Sequence, residues 1–442
     1  MAARRILLET DNLTLPTGTG IATYALNLAT TLKTLGYVPD ALIGVRQSLS
    51  SKDPVLNRMS FYDPRAGEKP PLATKIKTYF RYRFGEPFGV GAVPLMRAPA
   101  VIDPNASRFE PFDRIHTVSR LSDRARGHFK IHGRTLLVKP DTAPDVFHAT
   151  QAMPVHIAGV PNLYTIHDLI PMRLPYTTLD NKKYMLKLHR HLAAKADHIV
   201  TVSENSKRDI VEFLDIPEDR VTNTYQAVSL PDHLVQRPID EVADDLESLY
   251  GLAPQGYYLF VGAIEPKKNV GRLVDAFAAS GTRRPLVIAG NAAWMAEDDI
   301  RKIDDERFLQ HVMHERRITP TRRVRRLSYV PFEHLISLIR GARGLIFPSL
   351  YEGFGLPVLE AMLLGTPVIT SNVSSLPEVA GDAALLVSPH DTMELSKAIR
   401  RLDKDDDLAA DLAERGRKQA ALFGPDAYRR RVQALYDRVL RG

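Results

Sequence analysis

Phe347-Pro-Ser-Leu-Tyr-Glu352-Gly-Phe-Gly-Leu-Pro357-Val-Leu-Glu360-Ala-Met-Leu-Leu-Gly365-Thr-Pro-Val-Ile369 reads as a strand, a glycine-bearing turn and a helix. The apolar run 344–347 ends at Pro348, and the helix opens near Leu356 and Pro357, where proline is tolerated because a first-turn N–H has no helical partner. The backbone amides of residues 354–357 therefore collect at a helix N-terminus. Orphan N–H groups and the helix dipole favour a phosphate or pyrophosphate there. Glu352 precedes the helix and Glu360 follows eight residues later, a helical rise of about 12 Å. A sugar and a ribose on opposite sides of a pyrophosphate are separated on that scale, and a carboxylate accepts strongly from their vicinal hydroxyls. Taken alone, the two glutamates also fit a cap and a solvated helix residue.

Working outward, strands and helices alternate on both sides of this stretch. The chain opens as a β-α-β unit: Ile6-Leu7-Leu8, a glycine loop ending at Gly20, apolar positions Ile21, Ala25, Leu28, Leu32 and Leu35 at helical spacing, then Ala41–Val45. Alternation resumes at Val146, with strands expected at 162–166 and 198–202 and helices at 180–195 and 206–214. A second run has strands expected at 257–262, 286–289, 327–330, 344–347, 368–370 and 384–387. Such alternation implies parallel sheets, and two successive α/β domains bind ligands between the carboxyl ends of their strands. The expected boundaries are an N-terminal domain over 1–230, elaborated over 47–140, a C-terminal domain over 231–420 with 229–250 as linker, and a terminal helix over 421–442.

Composition bounds the chemistry. At roughly 100–200 residues per domain, 442 residues imply two or three domains. Hydrophobic residues at 44% and charged residues at 25% exclude collagen-like and disordered classes. The absence of cysteine removes disulfides, zinc–thiolate sites and a thiol nucleophile together. Net charge of +7 suits phosphate-bearing partners or an anionic membrane surface without proving either. The first residues lack a signal-peptide core and no run reaches membrane-span length, so a cytoplasmic chain is expected, soluble or peripheral on the cytoplasmic face of a membrane.

The stretch 347–382, through Ser374-Ser-Leu-Pro377-Glu378-Val-Ala-Gly-Asp382, resembles the hallmark segment of the family 4 retaining glycosyltransferases of GT-B architecture, whose Glu-x7-Glu pair matches Glu352 and Glu360. Four more segments resemble parts of that family. Val261-Gly-Ala-Ile-Glu-Pro-Lys267-Lys268-Asn269 is similar to its phosphate-binding loop, which implies Lys268 on the donor pyrophosphate. Ala263 stands where an arginine is common, leaving Lys267 as a substitute cation. Tyr164-Thr-Ile-His167-Asp168 is similar to the segment whose histidine faces the donor sugar, with its acid or base role open. Gly18-Thr-Gly20 is similar to the first glycine loop, and Tyr329-Val330-Pro331 to a strand end on the nucleobase.

The resemblance implies an α/β GT-B fold of two Rossmann-like domains facing across a cleft. It also implies a retaining hexosyltransferase with His167, Lys268 and Glu352 as catalytic residues. Gly20, Lys267, Lys268, Val330, Glu352, Phe354, Gly355, Leu356, Pro357 and Glu360 form the donor site. No cofactor and no metal are expected; the donor is a nucleoside diphosphate sugar. The variants Ile264–Asn269 and Ile166–Pro171 look most like mannosyltransferases of bacterial surface-polysaccharide assembly, so GDP-mannose is the expected donor and a glycan or lipid-linked sugar the acceptor. A non-catalytic GT-B partner subunit and a sugar-nucleotide epimerase are the alternatives. Gly18-x-Gly20-x-x-Thr23 lacks the third glycine of a dinucleotide fingerprint. Asp405-Asp-Asp407 reads as solvated surface, and the modest basic excess around 316–326 is all that would favour a nucleic acid, so no nucleic-acid partner is expected. The basic-aromatic stretch 75–84 suits either an inner-membrane surface contact or an amphipathic packing element.

Overall fold

The computed structural model describes residues 3–14, 20–45, 88–95, 106–314 and 317–441. Gly18, Thr19 and the stretch 75–84 lie outside the described residues. In chain order the first strands are β1 (Arg5–Glu9), β2 (Val38–Val45), β3 (Val90–Gly91), β4 (Val93–Pro94), β5 (Ile115–Ser119), β6 (Leu136–Lys139), β7 (Val146–Ala149), β8 (Val155–His156), β9 (Asn162–Thr165), β10 (His198–Thr201) and β11 (Val221–Asn223). Eight of them form one sheet in the order β11-β10-β9-β7-β1-β2-β5-β4, parallel except for the edge strand β4. Strands β3, β6 and β8 form a small sheet beside it.

The second half contributes β12 (Tyr258–Val261), β13 (Leu286–Ala289), β14 (Leu309–His314), β15 (Arg317–Arg322), β16 (Val324–Leu327), β17 (Gly344–Phe347), β18 (Val368–Ser371) and β19 (Leu385–Val387). Six form a parallel sheet in the order β16-β13-β12-β17-β18-β19, while β14 and β15 make a separate antiparallel hairpin. Strands β7, β10, β12, β13, β17 and β18 are buried along their whole length, as expected where helices cover both faces of a parallel sheet.

Both sheets reverse direction once. In the first, β1 leads to β2 and β5 on one side while β7 leads to β9, β10 and β11 on the other. In the second, β12 leads to β13 and β16, and β17 to β18 and β19. At such a switch point neighbouring strands send their loops apart and leave a crevice beyond their carboxyl ends. The loops after β12 and β17 carry Lys267, Lys268 and Glu352, which is how topology alone selects them.

Three expectations need correction. The span 229–250 is more than a linker: Ile239–Tyr250 is a helix whose Val242 and Leu246 are buried, packed on the helix Phe332–Gly341. The strand expected at 327–330 is β16, three residues earlier, because Val324 is its one fully buried position. The elaborated region 47–140 contains β5, a strand inside the main sheet, and the helix Leu121–His132. The basic segment 316–326 is largely β15 and β16; Arg325 donates to the Tyr250 carbonyl at 3.2 Å and Arg322 to that of Asp304 at 2.9 Å, so these cations tie loops down.

The last helix, Pro425–Arg441, packs against Gly20–Thr34 of the first half. Tyr436 Oη lies 2.7 Å from His148 Nδ1, and Arg4 donates to the Leu440 carbonyl at 3.3 Å. No described helix is long and apolar enough to cross a membrane.

Candidate active site

Pro266–Lys268 is one tight helical turn after β12, closed by Asn269 at φ 61°, a left-handed conformation that asparagine tolerates. The Asn269 amide donates to the carbonyls of Pro348 (3.0 Å) and Pro389 (2.8 Å), and Leu350 N donates to the Lys267 carbonyl at 2.7 Å. The two switch-point loops are thereby stitched together. Glu352 is 7% exposed. Lys268 Nζ lies 2.6 Å from its Oε1, and Lys267 Nζ lies 3.9 Å from its Oε2 and 3.5 Å from Glu265 Oε1. The Lys268 ammonium also sits 4.6 Å from the Phe347 ring centroid. Burial pulls the Glu352 carboxyl upward, but Lys268 and then Lys267 outweigh it and hold the group below its ordinary value. Burial likewise opposes the charge on Lys267, and Glu352, Asp168 and Glu265 reverse the balance and raise it. Both groups are therefore ionised at neutral pH.

Gly355, at φ 121°, caps the helix Leu356–Leu363, and a side chain there would be strained and would meet Leu376 at 2.9 Å. Val358 N donates back to the Gly355 carbonyl at 3.0 Å. Among the described residues no hydrogen bond takes the amides of Phe354, Gly355 or Leu356. Pro357 has no N–H, so its place in the donor set is corrected: it shapes the turn and donates nothing.

The other domain grips this loop. A Cβ on Gly353 would come within 2.9 Å of Asp168 Oδ2 and 3.0 Å of the His167 carbonyl, so only glycine allows the two loops to approach this closely. Ser206 Oγ donates to the Gly353 carbonyl at 3.3 Å, Asn205 donates to Tyr351 Oη, and Tyr351 Oη donates to Asp209. The N–H groups of Glu204 and Asn205 donate to the Glu378 carboxylate at 3.1 and 3.3 Å, an acid on the positive end of the helix Glu204–Leu214. Both neighbours of Glu352 in sequence are thus held by one helix from across the cleft.

His167 Nε2 lies 2.9 Å from the Thr150 carbonyl, which only accepts, so Nε2 carries the proton and Nδ1 is an acceptor. Burial lowers its basicity more than the Thr150 bond and Asp168 raise it, leaving a neutral imidazole. The Tyr24 ring meets it edge-on at 4.9 Å, while Tyr24 Oη lies 2.9 Å from Thr165 Oγ1, which His148 contacts at 2.8 Å. Asp168 Oδ1 accepts from Ile170 N at 3.0 Å and orients its own loop.

The structure brings together His167, Lys267, Lys268, Glu352 and the amides of 354–356. Gly20 begins the helix that carries Tyr24. Val330 lies beyond β16, two strands from β12. Sequence reasoning passed over Tyr24, Thr150, Asn205, Asp209 and Tyr351, whose partners lie far away in the chain. Ser203 did carry a local signal, its hydroxyl capping the helix by accepting from Ser206 N at 3.0 Å. Among the described residues no group of three His, Asp or Glu could hold a metal ion.

Glu360 lies one turn into the helix, and burial alone raises its pKa from 4.5 to about 7. Between those values the folded chain keeps a proton that the unfolded chain has released. The contribution to stability is therefore complete below the lower value and falls as pH rises to the upper one, by at most about 3 kcal/mol. Glu360→Gln cannot ionise and should be more stable than the parent at pH 8, with the difference vanishing near pH 4.5, read from denaturant midpoints. Equal midpoints at pH 8 would mean that the carboxyl is not desolvated.

Two facing parallel-sheet domains with a crossing terminal helix define the GT-B architecture. Sucrose-phosphate synthase from Thermosynechococcus elongatus matches with a TM-score of 0.65 over 99% of both chains at 17% identity. Anabaena HepE in complex with UDP-glucose matches with a TM-score of 0.62 over 98% of this chain and 99% of that one at 14% identity. The Glycosyltransferase Family 4 model matches residues 98–230 and the Glycosyl transferases group 1 model residues 252–419. The chain belongs to the family 4 glycosyltransferases. O-antigen chain mannosyltransferase B of Escherichia coli is 39% identical over 265 residues, and the serotype-specific mannosyltransferase WbdA of Escherichia coli 26% identical over 332. These alignments take in 59% and 69% of this chain and 65% and 39% of the relatives' own lengths.

Proposed function

We propose that this chain transfers mannose from GDP-mannose, with retention at the anomeric carbon, to a glycan or lipid-linked acceptor in the cytoplasmic assembly of a surface polysaccharide. The observation that carries the reading is the buried Lys268–Glu352 pair beside three unengaged amides at a helix N-terminus, across from a neutral His167. The relatives named mannosyltransferases support the choice of sugar. The donor diphosphate takes the amides of Phe354, Gly355 and Leu356 and the ammonium of Lys268, with Lys267 as second cation. Glu352 accepts from the sugar hydroxyls, as does His167 Nδ1, and Glu360 accepts from the ribose.

In the transfer step the bond from the anomeric carbon to the phosphate oxygen breaks and its electron pair stays on the diphosphate. The acceptor oxygen attacks the same face, and its proton passes to the departing phosphate oxygen. Positive charge at Lys268 and the fixed amide dipoles stabilise the charge that grows on that oxygen. Because its Nε2 proton is committed to Thr150, His167 orients the donor and supplies no proton. Calorimetric titration with GDP, UDP and ADP, followed by assay of transfer from the matching mannose or glucose donor, tests the reading. GDP-selective binding and mannose transfer are expected; preference for UDP or ADP overturns the donor, and no binding of any of them overturns the transferase.

A further inference from the structure

The turn Asn291-Ala-Ala-Trp-Met-Ala296 follows β13 and is fastened to the site. Ile264 N donates to the Asn291 carbonyl at 2.9 Å and Ala293 N to the Ile264 carbonyl at 3.0 Å, and Ile264 immediately precedes the loop that carries Lys267 and Lys268. Met295 adopts φ 54°, a left-handed conformation that costs a residue with a Cβ roughly 1–2 kcal/mol. The strained turn leaves Trp294 39% and Met295 49% exposed while Ala296 is buried. From the other domain, the connection that begins with His167 brings out Tyr176, 63% exposed, and Leu179, 73% exposed. Trp294 Nε1 donates to the Thr177 carbonyl at 2.9 Å and joins the two groups.

Single exposed apolar residues need no explanation, but the pinned indole joins the segment of Trp294 and Met295 to that of Tyr176 and Leu179, four large exposed residues in all. The indole has its polar edge satisfied and its apolar surface partly open, which suits the C–H face of a pyranose ring. The rim is polar and of both signs: Asp180, Asn181 and Lys183 from one domain and Glu297 from the other are exposed. A mixed rim supplies donors and acceptors to hydroxyls and offers an anionic bilayer no basic field.

We propose that Trp294, with Tyr176, Leu179 and Met295, is a stacking platform that holds the sugars of a growing neutral glycan acceptor at the mouth of the cleft. The assignment rests on the transferase reading and extends it to the acceptor. It makes the platform a length-sensitive subsite: an acceptor of several sugars reaches it and a single glycoside does not.

Trp294 is the only tryptophan in the chain, so its emission reports this surface alone. With the donor site saturated by GDP, titration with linear α-mannotetraose should shift or quench the emission saturably. Trp294→Leu should raise the KM for a mannotetraose acceptor about three- to tenfold, the worth of one aromatic contact, with kcat and GDP affinity within about twofold of the parent. Trp294→Phe keeps a ring, and its KM should stay near that of the parent. Emission unmoved by the tetraose together with an unchanged KM in Trp294→Leu would overturn the platform. Emission that responds only to a polyprenyl phosphate in micelles would overturn the glycan in favour of a lipid carrier. Because the titration needs no turnover, an emission response without any transfer would leave the platform standing and remove the transferase reading instead.

Discussion

Glu352→Gln should lower kcat by about a hundred- to a thousandfold while GDP affinity stays close to that of the parent. The variant keeps the volume of the side chain and its capacity to accept from Lys268, and it removes only the charge. That charge is costly to bury, and the structure retains it by placing two ammonium groups against it. On the proposed reading, a buried carboxylate held in this way is preorganised for two tasks: fixing the hydroxyls of the donor sugar and offsetting the positive charge that grows at the anomeric carbon as the leaving group departs. The second task exists only in the transition state, so its loss falls on kcat rather than on KM. Since the Glu352 pKa is held below its ordinary value, the parent should show no activity step near neutral pH from this group. A kcat within threefold of the parent would remove Glu352 from the chemistry and leave it as the counter-ion that keeps two lysines folded into the loop.

What was legible in the sequence follows the range of the interactions involved. The segment 344–363 could be read because everything that shapes it is local: a fully apolar strand, proline at the strand end, Gly355 where φ must be positive, and proline in the first helical turn. Strand β5 was hidden by polar residues on its buried positions. His116 Nδ1 sits 3.2 Å from the Asp141 carboxylate, and Thr117 Oγ1 donates to the Val93 carbonyl at 2.9 Å, so side chains that look exposed face partners the local pattern does not contain. The helix Ile239–Tyr250 was hidden for a related reason: its five acids outnumber the two residues it buries, and its packing partner begins near residue 332. The same argument separates the parts of the site. Lys268 and Glu352 stood out by their motifs, whereas Asn205, Asp209 and Tyr351 act through contacts between residues more than 140 positions apart. Nothing local marks a side chain whose role is to hold a loop of the other domain.

Lys268→Met should lower kcat/KM by about a hundred- to a thousandfold, and Lys267→Met by a clearly smaller factor, of order ten. The difference follows from the geometry. Lys268 Nζ touches Glu352 at 2.6 Å and lies over the Phe347 ring, at the end of the strand that feeds the amide-rich turn. Lys267 lies at 3.5 and 3.9 Å from two carboxylates and is also held by Asp168 across the cleft, so much of its charge is already matched. When a diphosphate arrives, Lys268 can keep its bond to Glu352 and direct its remaining N–H donors at the phosphate, whereas the ammonium among three acids has less positive charge to offer. In Lys268→Met the remaining Lys267 still faces Glu352, so the fold should persist, with a destabilisation of a few kcal/mol read from the denaturant midpoint. Because the charge on the leaving oxygen is largest in the transition state, the loss should appear in kcat as well as in the affinity for GDP. Equal losses in the two variants would mean that both lysines share the diphosphate, with Lys267 in the place left open by Ala263. A larger loss in Lys267→Met would reverse their roles and make Lys268 the counter-ion of Glu352.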